Sequence, residues 1–178
     1  LMRSTYRYLE RYATSQANLY FILNRKVDKI LNAYEDDREE IEQIRTQAAL
    51  WINEIIEKCI KNELINDRLY ARGRANSLIQ SANSLSNIKN KLRSKGVAVE
   101  IIDEVLDEIY QEKPNINILS AIKYIKKRRF GSFRIKEREE NTQQKELAAM
   151  ARAGFSYADS IKILKLSRQE LEDALYGN

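Results

Sequence analysis

Few residues in this chain could carry out covalent or acid–base chemistry. The 178-residue sequence contains no histidine and a single cysteine, Cys59. Histidine-based proton transfer, Ser–His and Cys–His nucleophile pairs and histidine metal ligands are therefore all excluded. Cys59 falls on the apolar stripe of a helical pattern with no histidine anywhere in the chain to lower its pKa, so it reads as a packed thiol. One cysteine forms no internal disulfide and no cysteine-cluster zinc site, which fits a reducing compartment. The carboxylate pairs Asp103/Asp107 and Glu104/Glu108 stand four apart, a spacing that solvated helix faces produce routinely. The five glycines, Gly73, Gly96, Gly131, Gly154 and Gly177, form neither G-x-x-x-x-G-K-[ST] nor G-x-G-x-x-G, so a glycine-built phosphate cradle has no support. No catalytic residue, metal site or cofactor is expected.

Positive charge is what remains. Between Lys123 and Arg138 lie Lys123, Lys126, Lys127, Arg128, Arg129, Arg134, Lys136 and Arg138 against the single acid Glu137. This local excess is larger than the +5 of the whole chain, so the rest of the molecule is slightly acidic. The acids gather in Glu35–Glu40 and in Glu100, Asp103, Glu104, Asp107, Glu108 and Glu112. Such polarity orients a protein in the field of a nucleic acid or of a filament coated on one. Two readings of the basic stretch stay open: a surface for phosphates, or a solvated helix end whose cations offset the helix dipole. A second group, Arg68, Tyr70, Arg72 and Arg74, combines cations with a ring suited to phosphate contact or base stacking, although Tyr70 reads better as a core residue. Lys89, Lys91, Arg93 and Lys95 step by two and so divide over two sides of one helix.

These side chains must be positioned by helices. Apolar residues make up 43% of the chain and charged residues 32%, with one proline and no alternating strand pattern. Ile41, Ile44, Ala48, Trp51, Ile52, Ile55, Ile56 and Cys59 recur at steps of three and four, predicting one long helix. Ala98, Ile102, Val105, Leu106 and Ile109 repeat the signal until Pro114 stops it. About nine or ten helices are expected in all. The longest apolar runs, such as Ala48–Ile52, are far short of the roughly 20 residues that span a bilayer, so no membrane span is expected. No apolar leader is seen at the start, and a cytoplasmic location follows as an expectation.

The helices repeat. Ser15-x3-Leu19-x3-Leu23, Ser84-x3-Ile88-x3-Leu92 and Thr142-x3-Glu146-x3-Met150 each put a hydroxyl cap before two positions on one helix face. Lys95-Gly96-Val97 and Ala153-Gly154-Phe155 then place glycine where helices stop in a left-handed residue. The first copy reads Lys26-Val27 instead, with no glycine. The expectation is an all-α fold built as an elongated array of three tandem three-helix, helix-turn-helix-like modules, over residues 1–63, 64–113 and 114–178. Read as a DNA-reading helix-turn-helix, the third module is poor, since Ala158–Leu164 has little with which to read base edges.

Five landmarks in order give a family resemblance. They are Tyr8-Leu9-Glu10-Arg11-Tyr12-Ala13-Thr14-Ser15, Leu64-Ile65-Asn66-Asp67-Arg68-Leu69-Tyr70-Ala71, Ile88-x3-Leu92-Arg93-Ser94-Lys95-Gly96-Val97, Ile101-Ile102-Asp103-Glu104-Val105-Leu106 and Lys145–Tyr157. From about Tyr6 to Leu164 the chain resembles the RecX family, regulators of the RecA recombinase, and its front segment with Asn18-Leu19 is most similar to the proteobacterial branch. The resemblance implies a helical, non-enzymatic regulator of homologous recombination, tied to DNA repair and the SOS response. Such a protein lies along a RecA filament on single- or double-stranded DNA and usually restrains its ATPase and strand exchange. A monomer is expected. It carries over only surface candidates: the Asn66–Tyr70 turn, Arg72, the Lys89–Lys95 helix and Lys126–Arg129. Together with the charge reading, the candidates are Arg68, Tyr70, Arg72, Arg74, Lys89, Arg93, Lys95, Lys123, Lys126, Lys127, Arg128, Arg129 and Arg134. Competing readings are a stand-alone DNA-binding or architectural protein and a helical protein-interaction scaffold.

Overall fold

Apolar residues spaced three and four apart give ten α-helices in the computed structural model, which describes residues 1–33, 38–135 and 140–177. They are α1 (Met2–Leu9), α2 (Gln16–Leu31), α3 (Arg38–Lys61), α4 (Asp67–Gln80), α5 (Leu85–Arg93), α6 (Val99–Glu112), α7 (Ile116–Arg128), α8 (Thr142–Arg152), α9 (Tyr157–Lys165) and α10 (Arg168–Tyr176). A short 3₁₀ turn, Gly131–Phe133, lies between α7 and α8, and the described residues contain no strand. The fold is all-α. Glu35, Asp36 and Asp37 of the acidic block, together with Lys136, Glu137 and Arg138 of the basic stretch, fall outside the described residues.

Two compact units divide the chain. The first comprises Leu1–Ala71 with Arg93–Ile101, the second Arg72–Leu92 with Ile102–Asn178. In the first, Leu19, Leu23, Val27 and Leu31 line one face of α2 at steps of four and pack on Ala48, Ile52, Ile55, Ile56 and Cys59 of α3. Arg45 of α3 reaches Asp28 of α2 at 3.1 Å on the rim of that contact. Cys59 is fully buried, and desolvation pushes its thiol pKa up, away from the thiolate. Ile44 and Trp51, which the periodicity places on the buried stripe, are instead 40% and 50% exposed. At about 100° per residue Ile44 and Trp51 fall together on one edge of the stripe centred on Ala48, Ile52 and Cys59, which leaves them at the margin of the buried face.

In the second unit Ala121, Ile122 and Ile125 of α7 meet Phe133, Met150 of α8, Phe155, Ile163 of α9 and Leu171 of α10. Tyr124 packs against Phe130 and Phe155, with ring centres 6.2 and 5.4 Å away. Ser167 and Glu170 close a reciprocal capping box at the start of α10.

The repeated cap pattern has a structural counterpart. Ser15 caps α2 by accepting from Asn18 N–H at 3.1 Å, and its hydroxyl donates to the Lys95 carbonyl. Ser84 caps α5 by accepting from Asn87 N–H at 3.1 Å, and its hydroxyl donates to the Ala153 carbonyl at 2.6 Å. In both cases the next residue is held as well: Gln16 N–H donates to Asp67 Oδ1 at 2.8 Å, and Leu85 N–H to Asn117 Oδ1 at 3.1 Å. Each gripped carbonyl immediately precedes a left-handed glycine, Gly96 at φ +70° and Gly154 at φ +83°. A Cβ on Gly96 would overlap that of Ala17, and one on Gly154 would sit 2.6 Å from Ser84 Oγ. Glycine is therefore required twice over, by its backbone angle and by the approach of the serine helix.

The first and third copies depart from the pattern. Lys26 and Val27 do not end a helix, because α2 runs through them to Leu31. Thr142 is the first residue of α8, and the preceding Asn141 makes no side-chain cap bond.

Candidate nucleic-acid interface

A phosphate contact needs a cation that the protein's own carboxylates do not already hold, so the partners of each basic side chain decide its use. On α4, the Arg72 guanidinium donates to Glu108 at 3.0 Å and to Glu112 at 2.5 Å, both on α6. Those contacts, Glu112 first, raise its pKa above the ordinary guanidinium value. Lys89 of α5 pairs with Asp103 of α6. Three of the six acids of the Glu100–Glu112 stretch thus serve α4 and α5. Arg68 and Arg74 are exposed, and Tyr70 is half-buried, neither core nor open platform. Arg93 is exposed, and Lys95, beyond the end of α5, donates to Asn18 Oδ1 at 3.3 Å.

The α7 group divides into a held part and an open part. Lys126 lies 3.7 Å from Glu172, donates to the Tyr176 hydroxyl at 3.2 Å, and sits over the Phe133 and Tyr176 rings at 5.6 and 5.1 Å. Arg134 donates to Glu146 through Nη2 at 2.6 Å and Nε at 3.1 Å, with only 19% and 6% of the two side chains exposed. Gly131 N–H adds a third bond to the same carboxylate at 3.2 Å. These contacts make Lys126 and Arg134 part of the packing of the second unit.

Lys127, Arg128 and Arg129 are exposed, and no carboxylate pairs with them among the described residues. Arg129 ends α7 in the left-handed conformation, φ 58°, which turns the chain out of the helix. Arg128 lies over the Phe130 ring with its guanidinium carbon 5.6 Å from the ring centre. Lys123, one turn before Lys127, is half-buried. The structure thus gathers Lys123, Lys127, Arg128 and Arg129 at one end of α7.

Sequence reasoning missed Arg152. It is the last residue of α8, exposed, and lines the same cleft as Arg128 and Arg129, which Lys145 also lines. Its position two residues before Gly154 was legible as a helix end, but its approach to the end of α7 was not. Among the described residues no group of three or more Cys, Asp or Glu side chains is placed to hold a metal ion, and no helix is long and apolar enough to cross a membrane.

No family model matches the chain. Curated relatives do. The regulatory protein RecX of Myxococcus xanthus is 35% identical over 159 residues, covering 88% of this chain and 80% of that one. That of Agrobacterium fabrum is 32% identical over 111 residues, covering 62% and 57% respectively. That of Lactococcus lactis is 30% identical over 122 residues, and the chain spans 44% of its length. Among solved structures, a crystal structure of regulatory protein RecX superposes with a TM-score of 0.62 at 23% identity, covering 91% of this chain and 68% of that one. RecX from Lactobacillus salivarius gives 0.53 at 23% identity over 88% and 98%. The structural likenesses show a shared fold. With the Myxococcus relative matching most of both lengths, kinship follows from sequence too: the chain belongs to the RecX family of regulatory proteins.

Proposed function

We propose that this protein regulates homologous recombination by binding the RecA–DNA filament and restraining its ATPase and strand exchange, without catalysing a reaction itself. The observation that carries this reading is the open triad Lys127, Arg128 and Arg129, three exposed cations at one helix end with no carboxylate partner among the described residues. Their cost in mutual repulsion is relieved by an external polyanion, and the DNA within a filament is one. The names of the relatives support a regulatory role. Arg68, Arg74, Arg93, Lys95 and Lys123 belong to the same proposal as further contacts, adding by avidity along a repeating partner. Restraint requires that the protein bind the less active form of the filament more tightly than the active one. We place the protein in the cytoplasm as a monomer with modules at 1–63, 64–113 and 114–178.

The test is filament ATPase inhibition by a variant with Lys127, Arg128 and Arg129 all changed to Glu. Lys126 is left alone, since its contacts with Glu172 and Tyr176 would confound the result. Inhibition should weaken about tenfold or more, while the thermal midpoint moves by less than about 2 °C. Full inhibition by the reversed protein would remove the triad from the mechanism. A stand-alone architectural protein is separated by binding to DNA without recombinase: it would show affinity that the filament does not strengthen.

A further inference from the structure

The open arginines surround a cleft that carries an apolar strip, Phe130, Ile135 and Ala149, beside the polar Thr142 and Lys145. Arg128, Arg129 and Arg152 face a space of about 540 Å³ together with Phe130, Ile135 and Ala149, and the Arg134–Glu146 pair lies on its wall. This falls within the roughly 300–1,000 Å³ typical of sites that enclose a small ligand. Ile135 is 72% exposed there, an apolar side chain held open beside cations. A second cleft of about 240 Å³, lined by Asn83, Asn87, Tyr124 and Lys127, shares Arg128 with the first. Cations alone suit any polyanion. Cations flanking an apolar wall suit a ligand that offers both a phosphate and a flat apolar face.

Duplex DNA presents phosphates but keeps its bases stacked inside, leaving Phe130, Ile135 and Ala149 nothing to meet. An unpaired nucleotide exposes both parts. We propose that this cleft receives one unpaired nucleotide of a single DNA strand, with Arg129 and Arg152 at the phosphate and the base against the guanidinium of Arg128, which Phe130 supports from beneath. Stacking of bases on arginine planes and aromatic rings tolerates any sequence, because every base has a π face. The second cleft then carries the adjoining phosphate past Lys127 and the Asn83 and Asn87 amides. This inference rests on the nucleoprotein reading above and adds to it the strand state of the DNA and the residue Arg152.

The experiment uses the full chain without recombinase, and fluorescence anisotropy of a labelled oligothymidylate against a hairpin duplex of equal charge. Arg152→Glu should weaken strand binding about tenfold with little change for the duplex, and should reduce the slope of log affinity against log salt by about one. Arg128→Lys keeps the charge and loses the planar group, so strand affinity should fall several-fold at an unchanged salt slope. Thermal melts accompany both variants. Unaltered strand affinity in folded Arg152→Glu overturns the proposal, as does an equal loss for strand and duplex. Competition by polyglutamate as effective as that by the oligonucleotide also overturns it, pointing to an acidic protein segment in the cleft. Filament ATPase assays on the same proteins separate the two readings. If the unaltered chain fails to inhibit, the regulatory reading falls while strand binding stands; if Arg152→Glu binds the strand normally, the cleft falls while inhibition stands.

Discussion

Glu146 takes the place in the third repeat that Leu19 holds in the first and Ile88 in the second, and all three are buried. A carboxylate there is tolerated because Arg134 and Gly131 N–H satisfy it. Removing one partner of such a pair leaves the other's charge poorly solvated, so Glu146→Gln should cost about 3 kcal/mol in urea denaturation. The same geometry explains why Arg134, legible as a cation, was not legible as a structural one: the acid that engages it lies twelve residues on, at a position expected to be apolar. Asp67 poses a different problem. Burial raises its pKa above the usual carboxylate value, and the bond from Gln16 N–H only partly opposes this. The folded chain therefore holds the Asp67 proton more tightly than the unfolded chain does. The stability that Asp67 contributes is fully present below the ordinary carboxylate value of about 4 and is lost as pH rises from there through the raised value. Asp67→Asn keeps an oxygen for Gln16, as Asn117 does for Leu85, and should be at least as stable as the parent at pH 7 without that decline. Asp67→Ala should lose about 1–3 kcal/mol by orphaning the Gln16 N–H. Chemical denaturation at pH 3, 5 and 7 separates these outcomes.

At the scale of elements, the caps and stops were readable because each is local chemistry: a hydroxyl before a helix, a glycine after one. Ser15, Ser84, Gly96 and Gly154 all stand as the sequence predicts. Their pairing was not readable, since Ser15 and Ser84 grip carbonyls 80 and 69 residues away. That pairing also bears on Lys26-Val27: the earlier serine there, Ser4, accepts from the Lys26 ammonium and grips no backbone carbonyl, and α2 runs on uninterrupted with no left-handed residue. Gly154→Ala should destabilise by about 2 kcal/mol, from the left-handed angle and the crowding of Ser84. Ser84→Ala should cost about 1–2 kcal/mol. Because the two residues share one contact, the double variant should lose less than the sum, which a double-mutant cycle by thermal denaturation measures.

For the molecule as a whole, the linear sequence located positive charge correctly but could not say which charges were available. Arg72, Lys89, Lys126 and Arg134 are held by acids of the same chain, whereas Lys127, Arg128 and Arg129 meet none among the described residues, and only folding separates the two sets. Affinity for the nucleoprotein filament should therefore follow the second set. Its salt dependence should flatten by two to three units of log–log slope in the Lys127/Arg128/Arg129 reversal, and hardly at all in Lys89→Gln, as read by co-sedimentation at graded potassium chloride. All-helical character was legible throughout because period and capping are local, and the open cleft was not, because it joins the ends of α7 and α8.

The serine grip also has a direction. In both instances the hydroxyl comes from earlier in the chain and the glycine turn from later, and the first helix pair supplies a socket without owning a key. A helix pair bearing a glycine turn, grafted downstream of such a serine, would find its seat already shaped, whereas the same graft placed ahead of Ser15 would meet nothing that fits.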